Sequence, residues 1–520
     1  MKKKDYLILS ILQLCVILCV ARYQTIPGNI DADYYFMGAV RLAQGHGFTE
    51  NYIWNYFNDP TSIPQPSFSY WMPLASIFSV FGMWLTGSQS FFSGRLVFIL
   101  LSILIPPLTA ALAYHITARR DLAIVSGLIS VFSGFYLPYL PITENYSVFM
   151  VLGALYFLNM DHNKRSAFFA LGVLSGLMSL ARSDGIIWLF LTFLSTIAYY
   201  WRDNKRLSKS AIALCLINLS IVMSGFLLIM LPWYLRNAVV FGAPMSISTG
   251  RALWLTNYYQ TFIYPASQLT YQTWLASSWK TILYLRFVAL QRILYTIITV
   301  QSALILLPFI LLGAWKLRNN SRVRLGMIAW AILIFVFTMV FAAAGVRGSF
   351  IHAVSALQTL LWVLAPIGLD LLLLKLQRWK AFRDWRLGIV FQPALVLALF
   401  LISLSSINAL VIADGWQSGE LTYPKAESFL LQQNIRPSEP VMVMNPPGYT
   451  MMTNRPAVMF PYGGEAAILG VARQFSVRYI VLGNLDSSYD ALYNRPDLYP
   501  SIQLIDQVDD LRIYKVTSLP

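Results

Sequence analysis

Charge is what this sequence has least of. Only 12% of its 520 residues are Asp, Glu, Lys or Arg, against roughly 25% in a typical soluble domain, and 57% are hydrophobic, against roughly 45–50%. So little polar surface cannot cover a soluble core, which excludes a soluble globular fold and makes the chain an integral membrane protein. Acids are scarcer still: 23 Asp and Glu stand against 38 Lys and Arg, for a net charge of +15. The excess does not point to nucleic acid, because the basic residues sit in short clusters between apolar runs, which is the pattern of membrane topology. Cys15, Cys19 and Cys215 lie inside apolar runs without metal-ligand spacing, so neither a disulfide nor a zinc site is expected. Internal repeats, a Gly-rich phosphate loop and a GxSxG elbow are also absent.

What the chain does have is a succession of eleven apolar runs, at 6–20, 91–117, 122–137, 147–160, 168–180, 186–201, 212–234, 294–315, 325–344, 354–374 and 387–411. Several fall short of the roughly 20 residues that a straight span needs. Lys2, Lys3 and Lys4 precede the first run and no small-residue cleavage site follows it, so it reads as an uncleaved anchor with a cytoplasmic N-terminus. Basic clusters at Arg119-Arg120, Lys164-Arg165, 202–209, 316–324 and 375–386 assign alternate loops to the cytoplasm. Asp31, Asp33, Glu50, Asp59, Glu144 and Asp184 all fall on the other side. The apolar segment 67–81 reads as a helix on the outer surface, since counting it as a span would reverse every later loop. The expected fold is therefore a polytopic all-α membrane bundle of about eleven helices (1–411), followed by a small α/β extracytoplasmic domain (412–520). That tail shows a helix at 424–433, short buried strands at 440–444, 456–460 and 478–483, and a hairpin over 501–516.

The first outer loop, 24–90, gathers four of the scarce acids. Asp31 and Asp33 open a helix-like segment, where capping and the helix dipole explain one carboxylate well and a pair less well. Tyr34, Tyr35, Trp54, Tyr70 and Trp71 lie close by in sequence, and aromatic faces beside carboxylates hold sugar rings, although composition fits a membrane-surface aromatic belt equally. Basic residues also approach the membrane on the outer side: Arg95, Arg182, Arg236, Arg251, Lys280, Arg286, Arg292 and Arg347. A charge there requires an acid, a carbonyl, a phosphate or water. Asp184 offsets Arg182. Arg347, with no acid near it in sequence, suits a ligand phosphate or a lipid headgroup, and His352 on its residue type alone reads as a core histidine. Carboxylates, aromatics and guanidinium groups at one membrane surface together suit a lipid-linked phosphosugar.

Four pieces carry a resemblance to a known superfamily: Asp31-Ala-Asp-Tyr-Tyr35 followed by Ala-Gln-Gly-His-Gly-Phe48; Thr143-Glu-Asn-Tyr-Ser147; Leu180-Ala-Arg-Ser-Asp-Gly-Ile186; and the stretch 232–249, which begins Pro232-Trp-Tyr-Leu-Arg236. Over roughly residues 1–410 the chain resembles the GT-C glycosyltransferases, in particular the group that holds the protein O-mannosyltransferases and the lipid A aminoarabinose transferase. The resemblance implies inverting transfer of a monosaccharide from a polyprenyl-phosphate donor to a protein, lipid or glycan acceptor, catalysed in the cell envelope by a multi-pass plasma-membrane enzyme. It implies Asp31, Asp33 and Glu144 as the carboxylates of the reaction, with Asp31 as base. Asp31 matches the first acid of the family's Asp-Glu pattern, while Ala32 stands in the second position and Asp33 is displaced by one. Arg347, His352 and Arg236 are the expected donor-phosphate residues, and Tyr34, Tyr35, Trp54, Tyr70 and Trp71 the expected sugar or acceptor contacts. No metal or other cofactor is expected, since arginines can stabilise a monophosphate leaving group; a divalent ion is permitted but not required. The rival reading from another class is a lipid-linked sugar flippase or other transporter, which should place charges at midplane on broken, repeated helices. A third, a noncatalytic scaffold, leaves the loop acids unexplained.

Overall fold

The computed structural model describes residues 1–161, 164–203, 208–245, 247–379, 386–413, 415–416, 419–483 and 490–517. The chain enters with α1 (Lys3–Ala21) and then leaves the apolar bundle for a long loop. That loop carries α2 (Ile30–Ala43), the two-residue strands β1 (Thr49–Glu50), β2 (Tyr52–Ile53) and β3 (Gln65–Pro66), and α3 (Leu74–Thr86). The bundle resumes with α4 (Phe91–Thr117), α5 (Arg120–Val131), α6 (Asn145–Leu158), α7 (Arg165–Ala181), α8 (Ile186–Asp203) and α9 (Lys209–Phe241). Loop helices α10 (Ile247–Arg251) and α11 (Tyr271–Ala276) lead to α12 (Trp279–Thr296), α13 (Leu307–Lys316), α14 (Ser321–Phe335), the short α15 (Ala342–Val346) and α16 (Ser349–Ala353), α17 (Ser355–Leu376) and α18 (Leu387–Ile407).

Among the described residues, eight helices are long and apolar enough to cross a membrane, and α3, α6, α7 and α13 are apolar but shorter. This is a multi-pass membrane protein. The run 294–315, expected as one span, is two helices: a π turn ends the first at Gln301, Ala303 and Leu304 adopt left-handed backbone, and α13 restarts at Leu307. The run 122–137 stops being α-helical at Val131 and ends in a 3-10 turn, Gly134–Tyr139, which contains Pro138. Within 67–81 the helix begins only at Leu74, and α3 packs on α2 and α4. Residues 204–207 and 380–385, which belong to two of the basic clusters, lie outside the described residues.

The bundle is centred on α17, whose residues from Ser355 to Leu369 are all buried. It meets α6 at Gly153, where an added Cβ would stand 1.8 Å from the carbonyl oxygen of Ala356, so only glycine permits the crossing. That close approach sets the beginning of α6 beside the segment leading into α17.

The tail alternates α19 (Tyr423–Gln432), β4 (Val441–Val443), α20 (Pro446–Thr453), β5 (Ala457–Met459), α21 (Gly464–Phe475), β6 (Tyr479–Gly483) and α22 (Asp490–Asn494), and closes with the hairpin β7 (Ile502–Val508) and β8 (Leu511–Val516). Its strands form a six-stranded sheet in the order β2-β5-β4-β6-β8-β7. The edge strand β2 belongs to the first loop and runs parallel to β5, with Tyr52 opposite Ala457 and Ile53 opposite Val458. The sequence boundary at 411/412 is therefore bridged in space by a strand from residues 52–53.

Behind the sheet, Arg455 is fully buried yet fully used. It donates to both carboxylate oxygens of Glu427 at 2.7 Å and to the carbonyls of Arg436 and Glu439, while the Tyr449 hydroxyl donates to the same carboxylate at 3.0 Å. Removing one partner strands the other charge in an apolar core. Arg455→Ala is expected to destabilise the tail by about 3–5 kcal/mol. A loss of secondary structure at lower temperature in the detergent-solubilised variant checks this, and an unchanged midpoint contradicts it.

Candidate functional site

One end of the bundle collects side chains from four separate elements. Asp31 lies in the first turn of α2, whose N-cap Asn29 accepts from the Ala32 amide at 2.9 Å. Glu144 is the N-cap of α6. Arg182 ends α7, and His352 lies on α16 just before α17. Two bonds staple the start of α6 to α2: the Thr143 hydroxyl donates to the Ala32 carbonyl, and Asn145 Nδ2 donates to the Tyr35 hydroxyl, both at 2.8 Å. Arg182 pairs with Asp184 at 3.1 Å and reaches the Ser349 carbonyl at 3.3 Å, which ties the end of α7 to α16.

These ties bring His352 between two carboxylates, with Nε2 3.7 Å from Asp31 Oδ2 and Nδ1 3.4 Å from Glu144 Oε1. The Tyr146 ring stacks on the imidazole at 4.4 Å, and its hydroxyl lies 3.1 Å from Nε2. Burial, reinforced by the Arg182 guanidinium, lowers His352 to about 4, so the ring is neutral. Burial raises Glu144 to about 7, and burial together with the neighbouring Glu144 raises Asp31 to about 6. Of the two acids Asp31 is the accessible one, its side chain 30% exposed against 3% for Glu144. Asp31, Glu144 and His352 each offer a ligand atom within 4.8 Å of the others, a set of two carboxylates and one imidazole that suits a divalent cation.

An aromatic wall stands beside the carboxylates. Trp54 packs on Trp71 with ring centroids 4.1 Å apart and on Tyr70 at 5.2 Å, and its indole N–H is buried with no hydrogen-bond partner among the described residues. Tyr70 and Trp71 are half-buried, and Asp31 acts electrostatically on both Tyr70 and Tyr258. At the rim the exposed Arg347 lies over the Tyr258 ring at 4.9 Å and donates to the Tyr259 hydroxyl at 3.1 Å.

No protein-family model matches the sequence, and no curated protein matches it. Solved structures do match its fold. ArnT from Cupriavidus metallidurans in the apo state is similar over 98% of this chain and 98% of its own, at 13% identity and a TM-score of 0.55. The Archaeoglobus fulgidus oligosaccharyltransferase in the apo form is similar over 92% of this chain and 70% of its own, at 12% identity and a TM-score of 0.54. These neighbours are GT-C glycosyltransferases. The chain has the GT-C fold.

Within the GT-C fold, the sequence-derived site divides. Asp31, Glu144 and His352 converge, with Trp54, Tyr70 and Trp71 alongside and Arg347 at the rim. Asp33 does not join them: two residues along a helix is about 200° of rotation, so it faces away, fully buried, and accepts from Asn445 Nδ2 of the tail at 2.8 Å. Arg236 is not a phosphate residue either. Its guanidinium donates to the Phe48 and Ser67 carbonyls at 3.2 and 2.9 Å and lies against Trp233, Phe241 and Phe48, so it clamps the residue before β1 to the residue after β3, two strands that pair antiparallel. Tyr34 and Tyr35 are core residues, 3% and 2% exposed; Tyr34 accepts from the Phe68 amide, and Tyr35 holds Asn145. His352, being neutral, can offer a phosphate a hydrogen bond but no charge. Arg182 was read only as the partner of Asp184, and the carbonyl it reaches across the fold, at Ser349, has no signature in its local sequence.

Glu50, in β1, also lies apart from the site, 3% exposed, and Gln65 Nε2 of β3 donates to it at 2.6 Å. Burial raises it from 4.5 to about 8 against the pull of its Tyr34 and Gln65 hydrogen bonds. The folded chain thus holds a proton that the unfolded chain releases, so this group's stabilisation is complete below about pH 4.5 and is lost as pH rises to about 8. Glu50→Gln should flatten the fall in unfolding temperature between pH 5 and 8, and an equally steep fall in the variant rules the assignment out.

Proposed function

We propose that this chain is a membrane glycosyltransferase which moves a monosaccharide, with inversion, from a polyprenyl-phosphate donor to an extracytoplasmic hydroxyl acceptor. The observation that carries the reading is the meeting of Asp31, Glu144, His352 and Arg182 at one end of the bundle, beside an aromatic wall, in a fold shared with glycosyltransferases. The archaeal neighbour AglB is solved in complex with an inhibitory peptide and a dolichol-phosphate, which supports a lipid-phosphate donor and a polymeric acceptor here. The transporter reading fits less well, because the site charges stand at helix ends and no repeated halves relate them.

In the proposed step the acceptor oxygen attacks the anomeric carbon as the bond from that carbon to the phosphate oxygen breaks, and a single displacement inverts the configuration. Asp31 takes the hydroxyl proton, and the bonding electrons leave on the lipid phosphate. Arg347 at the rim, with Arg182 deeper, counters the phosphate charge. Burial and the neighbouring Glu144 raise the proton affinity of Asp31, which suits it to accept that proton. The transfer does not require a metal; a divalent cation held by Asp31, Glu144 and His352 would supply further stabilisation of negative charge. The aromatic wall takes the apolar face of the sugar, and the buried Trp54 N–H offers it a donor.

The test is incubation of purified protein with labelled polyprenyl-phosphate sugars and a panel of protein, lipid and glycan acceptors. Asp31→Asn preserves shape and removes the basic oxygen, so turnover should drop by about 10²–10⁴-fold with donor binding retained. Normal turnover in that variant rejects Asp31 as base. Movement of lipid-linked sugar across vesicles without any transfer would favour the transporter. Arg347→Ala should raise the donor KM by about tenfold or more while leaving the fold intact, the scale of one charge-assisted contact. An unchanged donor KM would remove Arg347 from the donor site.

A further inference from the structure

We infer that Asn445, in the tail, is a positioning residue for Asp31: through its hydrogen bond to Asp33 it sets the angle at which α2 presents the base to the cleft. The inference rests on the transferase reading above for what Asp31 does, and on geometry alone for the coupling.

Asp31 and Asp33 occupy opposite faces of the first turn of α2. One faces the cleft; the other is fully buried against α20. Asn445 fits between Asp33 and the sheet in a single orientation. Its Oδ1 accepts from the Gly448 amide at 3.0 Å, capping α20, which forces its Nδ2 toward Asp33 Oδ2 at 2.8 Å. Both side chains are buried, Asp33 at 0% and Asn445 at 5% exposure, so no water competes for the bond. Asp33 Oδ1 has no other partner among the described residues, which leaves the Asn445 bond as the side chain's one visible tether. The approach is tight: a Cβ on Gly448 would lie 2.8 Å from Asp33 Oδ2. Pro446 and Pro447 open α20 directly after Asn445, so the donor stands on a stiff support.

The same turn is held on its other sides. Trp416 Nε1 donates to the Ile26 and Pro27 carbonyls just ahead of α2, and Thr143 donates to the Ala32 carbonyl from the α6 side. Trp416 and Thr143 fix where the turn sits. Asn445 reaches it from the face opposite Asp31, so a shift of that contact rotates Asp31 relative to Glu144 and His352. A positioned base is sensitive to displacements well below a bond length.

Four variants test the bond. In Asp33→Asn, the new amide's carbonyl oxygen still accepts from Asn445, so turnover should stay within about threefold of wild type, the coupling being a hydrogen bond and not a charge. Asn445→Ser keeps a cap for α20 but cannot reach Asp33; kcat should fall by about 10- to 100-fold with donor KM unchanged, the scale of one buried polar group left without its hydrogen bond. Asn445→Asp sets two carboxylates face to face and should lose at least as much. The double variant Asp33→Asn with Asn445→Asp rebuilds the pair with roles reversed and keeps the cap, so it should recover most of the loss. Hydrogen exchange gives a readout independent of activity: amides 30–36 should exchange faster in Asn445→Ser and Asn445→Asp and return toward wild type in the double variant, while those of α20 stay protected in Asn445→Ser. Wild-type exchange and kcat in Asn445→Ser, or a double variant as impaired as Asn445→Asp, would overturn the inference. If wild-type protein transfers no sugar, the transferase reading fails, and the exchange pattern still decides whether Asn445 holds α2.

Discussion

An ionised side chain inside a bilayer needs a partner or water, and this constraint shapes the whole arrangement. The acids and guanidinium groups of the site occupy a helix first turn, an N-cap, a helix C-terminus and the segment between two spans, where backbone ends and the cleft supply polar company. The apolar helices between those points act as spacers, and their crossings, such as Gly153 against Ala356, convert distant sequence positions into a cluster a few ångströms wide. The opposite end of the bundle obeys the same rule with structural pairs: Arg120 with Asp5 at 2.6 Å and Arg119 with Asp370 at 2.7 Å.

The small sheet is bound into this arrangement and is not appended to it. Its parallel strands β4 and β5 direct their carboxyl ends toward α2, which is where open α/β sheets commonly place ligands. Asn445, two residues beyond β4, reaches α2 through Asp33, and the Met459 carbonyl at the end of β5 accepts from the Tyr56 hydroxyl of the first loop. The first loop is therefore held between the helical bundle on one side and the sheet on the other.

Much of this was legible in the sequence, for definite reasons. In a chain with so few carboxylates, Asp31 and Glu144 stood out because an acid near an apolar run has a narrow set of uses, and their elements were placed by hydropathy. The tail strands were marked by Pro, Gly and Asn around short apolar runs, and all three formed. Asp33, which the resemblance groups with Asp31 although displaced by one position, is separated from it in space because a helix sends residues i and i+2 to opposite faces. Arg236 was misjudged because its partners are backbone carbonyls, which every residue has and no motif advertises. The two-residue strand Tyr52–Ile53 had no readable signal, since its pairing partner lies in the tail and two residues carry no periodicity. The break at 302–306 escaped for a related reason: Leu304 to Leu307 continues the apolar pattern, so hydropathy runs on while the backbone turns.

The pairing of β2 with β5 has a consequence for how the protein comes into being. Tyr56 and Met459 are 403 residues apart, and Asp33 and Asn445 are 412 apart. During synthesis the loop bearing Asp31 emerges after the first span and remains without its sheet neighbours until the final fifth of the chain follows it. Every helix of the bundle can be inserted while the site is still incomplete. A nascent or truncated chain would thus hold its first loop without the sheet neighbours, and the pairing of β2 with β5 rests on long-range contacts of the kind that form slowly compared with helix packing.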